Sequence, residues 1–306
     1  MRPSSRSTSP PPPPLLDLFA LLNPPVVVSA VAECLAGATA ASLVPGPKPY
    51  VLALASGLLF AAGGLFGSYF DREADAQRAP DRPLPSGRIP AQTAWTLGWA
   101  LLVAGMLISM VPGLRSGALG MGLAVLVVLY SATAKQIWGL NFLVLGAARL
   151  VNLALGFSAG TEMFERLLVV ALPFGLYMIG WAVLRGSRQP GAPPSTGFAG
   201  LLHVAAALAL LVYLSGTHFE YRNDALIFFL LFVPLTLPRF VGAVFEPRRP
   251  AVAEAVQYGF LGLTLLEAGL AAGYAGVLGG LIICAFLIPL YLLLRKWPIP
   301  LLIEPR

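Results

Sequence analysis

The chain has 306 residues, of which 57% are hydrophobic and only 11% charged, and its mean hydropathy is +0.79. A soluble domain carries about 25% charged residues, so this chain cannot cover a water-facing surface, and soluble enzymes, nucleic-acid binders and disordered regulators are excluded. The net charge of +6 then belongs to loops on one side of a membrane rather than to a nucleic-acid footprint. Cys34 and Cys284 both lie in apolar runs, which leaves no disulfide framework and no CxxC metal site. The chain is a polytopic membrane protein.

From the N-terminus, residues 1–25 are rich in Ser and Pro, with Pro10 to Pro14 in one run, and are expected to form a disordered tail without a cleavable signal peptide. A crossing needs about 20 mostly apolar residues, and residues 26–295 offer them almost without pause. The spans fall at Val26–Val44, Val51–Phe70, Thr93–Val111, Gly117–Thr133, Phe142–Gly160, Leu167–Leu184, Ala199–Leu214, Ala225–Gly242, Val256–Gly273 and Gly276–Leu294. All should be helices, because lipid offers no partner to an unpaired backbone group. Only Tyr274 and Ala275 separate the last two spans, so the expected fold is an all-α bundle of nine or ten helices, followed by a tail over 296–306.

Charge bias orients it. The N-terminus and the even-numbered loops hold Arg2, Arg6, Arg72, Arg78, Arg82, Arg88, Lys135, Arg185, Arg188, Arg248 and Arg249, against Lys48, Arg115, Arg166 and Arg222 in the opposite loops. The N-terminus is therefore expected inside. Ten helices would add Arg295, Lys296 and Arg306 to the same side, and ten is favoured over nine. The setting this implies is the bacterial cytoplasmic membrane.

One loop is more than a connection. Between the second and third spans runs Asp71-Arg72-Glu73-Ala74-Asp75, then Arg78 and Arg82-Pro83-Leu84-Pro85-Ser86-Gly87-Arg88. Asp71 and Asp75 are four apart and share a face if the helix runs on by a turn. Two such carboxylates suit Mg²⁺, which takes one or two carboxylates together with phosphate oxygens, while Arg72, Arg78, Arg82 and Arg88 supply forks for phosphate. Composition alone leaves two readings open: a diphosphate–Mg²⁺ site, or a positive-inside loop with carboxylates for solubility.

The order of these residues resembles the first aspartate-rich motif of the UbiA superfamily of intramembrane prenyltransferases, Asn-Asp-x-x-Asp-x-x-x-Asp followed by an Arg-Pro-Leu-Pro-Ser-Gly-Arg turn. Leu22-Asn23-Pro24 is similar to the family's entry to helix one, Tyr130-Ser131 through Lys135 to its Tyr-Ser…Lys, and Arg149, Asn152 and Gly156 to its Arg-x-x-Asn-x-x-x-Gly. Within this family the helices surround a central cavity, and two aspartate-rich loops hold Mg²⁺ against an isoprenyl diphosphate while a lipid-soluble or aromatic acceptor attacks the allylic carbocation. The resemblance therefore implies Asp71 and Asp75 as metal ligands. It implies Asn23, Arg72, Arg78, Arg82, Arg88, Arg185 and Arg188 as diphosphate-binding residues, and Lys135, Arg149 and Asn152 as catalytic residues. The implied partners are an isoprenyl diphosphate, its acceptor and membrane lipid, with no nucleic acid.

Two departures bear on that inference. Where the family has Asn-Asp this chain has Gly67-Ser68, and the stretch Arg185 to Gly197, which should carry the second motif, has no carboxylate. Either one Mg²⁺ suffices, with Arg185 and Arg188 as clamps, or the chain is a non-catalytic UbiA-fold protein or a carrier of an amphipathic metabolite. Ala32-Glu33-Cys34-Leu35-Ala36-Gly37 and Leu265-Leu266-Glu267-Ala268 resemble elements of the EboC-like branch, whose members occur in clusters that make or export secondary metabolites. Glu33, Arg149 and Glu267 fall inside spans, where an unpaired charge costs about 2.5 kcal/mol or more. Arg149 either faces the cavity or pairs with Glu33 or Glu267.

Overall fold

The computed structural model describes residues 14–41, 46–133, 137–160, 164–187 and 192–301. All regular structure among them is helical: α1 (Pro14–Leu21), α2 (Pro24–Ala41), α3 (Lys48–Arg78), α4 (Ala91–Met110), α5 (Leu114–Ala132), α6 (Leu140–Phe157), α7 (Phe164–Gly186), α8 (Thr196–His218), α9 (Arg222–Phe245), α10 (Arg249–Cys284) and α11 (Leu287–Lys296). The first nine expected spans match α2 to α10 in order, and the tenth falls on the end of α10 and on α11. The described part of the expected disordered tail is not disordered. Pro14–Leu21 is helical, with Leu18 and Leu21 packed among Leu65, Leu84, Ile89 and Ala94, and Asn23, at φ 56°, turns the chain into α2.

Nine segments among the described residues are long and apolar enough to cross a membrane, and the last, Arg249–Lys296, has 48 residues. It makes two passes. Gly276 sits at φ 71° and ψ 180° and breaks α10, a conformation open to Gly because it has no Cβ. The Asp224 carboxylate accepts from the Val277 N–H just beyond the break, at 3.2 Å. The returning chain brings Ile299 back beside Gln257 near the start of α10, where Gln257 Nε2 donates to the Ile299 carbonyl (2.8 Å) and Ile299 N donates to Gln257 Oε1 (3.2 Å). At 1.5 Å per residue the stretch from Gln257 to Gly276 covers about 28 Å, a hydrocarbon core's thickness. Among the described residues this makes ten passes, and both described ends lie on the face that carries the 71–88 loop. We call this the charged face.

Two apolar clusters fill the bundle. One, around α2 to α6, includes Leu52, Leu59, Phe66, Leu123 and Leu155; the larger, around α7 to α11, includes Phe174, Tyr177, Phe232, Phe240 and Phe260. Helix α2 lies between them, packed on α3, α6 and α10. Its close approach to α6 comes from Gly37 and Gly156: a Cβ on Gly37 would meet the Leu153 carbonyl, and one on Gly156 the Cys34 carbonyl. Because both helices leave the charged face in the same direction, residues one turn earlier, Glu33 and Asn152, also meet. Cys34 and Cys284 are free thiols.

Candidate functional site

Helix α3 has 31 residues, about 46 Å at 1.5 Å per residue, so its last turns project past the hydrocarbon on the charged face. Asp71 and Asp75 sit there one turn apart, neither fully exposed. Arg82 Nη1 donates to Asp75 Oδ2 at 2.7 Å, with the Asp75 side chain only 14% exposed. Arg72 donates to Glu73 (3.1 Å) and to the Tyr69 carbonyl (3.0 Å), and its guanidinium stacks on the Tyr69 ring. Arg78 is exposed in the last turn of α3.

The following loop is folded rather than slack. Ile89 N donates to the Pro83 carbonyl, Ser86 N to the Arg82 carbonyl and Gly87 N to the Leu84 carbonyl, with Gly87 at φ 73°. Leu84 and Ile89 bury themselves against Leu21, Leu65 and Ala94. Arg88 does not face the carboxylates of α3. Its Nε and Nη2 reach both oxygens of Asp17 on α1, at 2.6 and 3.1 Å, and the pair bolts α1 to the loop. Asp17 is the residue the sequence reading missed; its signal was a lone carboxylate in the apolar run Leu15-Leu16-Asp17-Leu18-Phe19.

Across the charged face, Arg185 at the end of α7 donates from Nε to the Pro300 carbonyl at 2.7 Å. Here too the expected phosphate ligand has a protein partner, because the returning C-terminal segment crosses the end of α7. Phe19 of α1 meets the Trp297 ring edge-on, with centroids 5.5 Å apart. Asn23 is exposed, and its carbonyl accepts from Val26 N and Val27 N at the start of α2. Lys135 and Arg188 lie outside the described residues.

Arg149 and Asn152 lie elsewhere, deep in the bundle. Arg149 is 1% exposed; its Nη1 donates to Ser29 Oγ (3.1 Å) and reaches Glu33 Oε2 (3.5 Å), between the rings of Phe60 and Phe260. Asn152 Nδ2 donates to Glu33 Oε2 (2.7 Å) and to the Ala30 carbonyl (2.9 Å), and its Oδ1 accepts from Ser56 (2.6 Å). Of the two places open to Arg149, the structure takes the pairing with Glu33. Both side chains are enclosed, and their hydrogen bonds tie α6 to α2 and α3.

The charged face fits Mg²⁺ as an ion brought in by substrate. Among the described residues no three His, Cys, Asp or Glu side chains come together, so these residues alone do not complete a cage. Two carboxylates one turn apart match the share that proteins contribute to Mg²⁺–phosphate complexes.

The model of the UbiA prenyltransferase family matches residues 27–263, most of the chain. The chain belongs to this family. Among curated relatives, digeranylgeranylglyceryl phosphate synthase of Methanothrix thermoacetophila is 34% identical over 122 residues, 39% of this chain and 46% of that protein. Protoheme IX farnesyltransferase of Methylobacterium nodulans is 32% identical over 177 residues, 56% and 48%. The chain thus spans about half the length, or less, of the curated relatives it matches. A solved structure concerned with digeranylgeranylglyceryl phosphate synthase in membranes superposes with a TM-score of 0.66 at 18% identity, covering 86% of this chain and 99% of the other. A UbiA homologue from Archaeoglobus fulgidus bound to Cd²⁺ gives 0.53 at 16% identity, covering 80% and 98%. These likenesses establish the UbiA fold. Within it, Asp71 and Asp75 occupy the helix end where this family's first aspartate-rich motif is expected. A Cβ added at Gly67, one turn further back, would meet nothing within 4 Å.

Proposed function

We propose that this UbiA-family chain is an intramembrane prenyltransferase, moving a polyprenyl group from an isoprenyl diphosphate to a lipid-soluble or aromatic acceptor. The observation that carries this reading is the placement of Asp71 and Asp75 one turn apart on the projecting end of α3, with Arg82 against Asp75. Asp71 and Asp75 would hold one Mg²⁺ arriving with the diphosphate, and the ion supplies electrostatic stabilisation of the leaving group. Arg82 has five donors in a fixed fork, enough to keep Asp75 and donate to a phosphate oxygen as well, and Arg72 and Arg78 flank it for the outer oxygens. Arg188 is assigned to the diphosphate with them, and Lys135 keeps the catalytic assignment that the family resemblance implies. That face is taken as the cytoplasmic one of a bacterial inner membrane, with both termini inside.

The absence of carboxylates between Arg185 and Gly197 favours a second reading, a non-catalytic or carrier member of the family, in keeping with the EboC-like resemblance. One experiment separates them. Purified protein is incubated with labelled geranyl, farnesyl or geranylgeranyl diphosphate, Mg²⁺ and a membrane extract as acceptor source. Release of diphosphate with label in an organic-soluble product supports transfer; saturable binding without release supports the second reading.

A further inference from the structure

The deepest charges in the molecule do not balance. Glu33 on α2 and Glu267 on α10 are both 0% exposed, and Arg149 on α6 is 1% exposed. They lie within electrostatic reach of one another. Two carboxylates and one guanidinium, all ionised, would leave a net negative charge in the middle of an apolar bundle, a state that burial strongly opposes.

The hydrogen bonds divide the trio unequally. Glu33 Oε2 accepts from Asn152 and Arg149, which marks it as the ionised partner of the guanidinium. Glu267 has no hydrogen-bond partner at either oxygen, although it is fully enclosed. Glu33 Oε1, Arg149 Nε and Thr264 Oγ1 are buried and unpartnered as well. Thr264 precedes Glu267 by one helical turn, and Phe260, a turn before that, lies under the Arg149 guanidinium. One stripe of α10 therefore turns its unused polar atoms toward the α2–α6 cluster.

The surroundings supply no other charge. Among the described residues the elements packed on this part of α10 offer Glu33 from α2, Arg149 from α6 and the Tyr177 hydroxyl from α7, which is spent on the Gly259 carbonyl at 2.6 Å. From α9 come Phe228, Phe229, Phe232 and Thr236, none of them ionisable.

We propose that Glu267 is a proton-binding site: a neutral carboxylic acid at the centre of the bundle, facing the Glu33–Arg149 ion pair and joining α10 to α2 and α6. With the proton in place, Glu267 supplies an O–H donor, Glu33 Oε1 a matching acceptor and Arg149 Nε a second donor, so that one trapped water can complete the set. Release of the proton would set a second carboxylate against Glu33 and loosen α10 from α2. The arrangement makes the contact between the two halves of the molecule responsive to protons, and it holds under either reading of the function.

Infrared spectroscopy of the full-length protein, with and without ¹³C-labelled glutamate, tests this. The carbonyl stretch of a protonated carboxylic acid is separate from that of a carboxylate. The expected spectrum at neutral pH has one such band that shifts on labelling and in D₂O, unchanged when Na⁺ replaces K⁺. The labelling measurement needs no variant. Glu267→Gln should lose the band. Glu33→Gln should lose it too, because Glu267 then becomes the counter-ion of Arg149, and Arg149→Gln should double it. Absence of a labelled acid band in the parent protein, its survival in Glu267→Gln, or its appearance only when Na⁺ is withdrawn would overturn the assignment. The last result would mean that a cation occupies the place of the proton.

Discussion

The bolt between Asp17 and Arg88 can be broken by one atom-for-atom change, Asp17→Asn. The pair consists of two charge-assisted bonds, 2.6 and 3.1 Å long, with Asp17 7% and Arg88 30% exposed. Hydrogen bonds to charged groups contribute about 1.5–3 kcal/mol each. Because Arg88 keeps access to water, solvent recovers part of the loss, and the net cost should be about 2 kcal/mol. By the relation of 1.4 kcal/mol per tenfold, that is about thirtyfold in the equilibrium that docks α1 and the 80–89 loop. Hydrogen exchange read by mass spectrometry should show both segments losing protection by about this factor, with the cores of α2 and α6 unchanged. Arg88→Gln should do the same, and the double variant should be little worse than either single one, since the two share one interaction. Strictly additive effects, or unchanged exchange in the 80–89 loop of Asp17→Asn, would refute the assignment of Arg88 to α1.

Three further outcomes are expected. Asp71→Asn should abolish Mg²⁺-dependent binding of geranyl diphosphate, measured by calorimetry, while the thermal melting point moves by no more than a degree or so, because the residue sits on a projecting helix end. Gly67→Asn combined with Ser68→Asp should tighten that binding about tenfold, since a Cβ at Gly67 meets nothing within 4 Å and the new Asn lies one turn from Asp71; equal or weaker binding would count against the metal site. Gly156→Ala should destabilise the bundle by about 1–3 kcal/mol, the usual cost of overpacking, because its Cβ would strike the Cys34 backbone. Denaturation of the detergent-solubilised protein would report it.

The passes and their common face were legible because the apolar runs are long and Lys and Arg gather on alternate loops. The break before the final pass was legible to within two residues, since Tyr274-Ala275-Gly276 interrupts nothing apolar and only the positive φ of Gly276 fixes the point. The carboxylates of the site could be read from their spacing on one helix. Their neighbours could not. Arg88 chooses Asp17, and Arg185 chooses a carbonyl in the C-terminal segment, through contacts 71 and 115 residues apart in sequence, and neither carries a local signature. Arg149 illustrates the same limit within the membrane: the sequence left both the cavity and a carboxylate partner open to one guanidinium, and the packing of α2 on α6 at Gly37 and Gly156 sets it beside Glu33.

The contact of Phe19 with Trp297 has a bearing on how the molecule is made. The first described helix and the last described turn share one aromatic edge on the charged face, while Ile299 and Pro300 fasten the same turn to α10 and α7. During synthesis α1 leaves the ribosome early and must wait for nearly the whole chain before its ring partner exists. Until residue 297 has been translated and the final pass inserted, α1 can dock on the 80–89 loop and on α2 and α3, but the Phe19 ring lacks its aromatic partner and the end of α7 lacks the Pro300 carbonyl. Closure of this face is thus a terminal event of biogenesis, and a ribosome stalled before Trp297 would hold a bundle whose passes are threaded but whose collar is open.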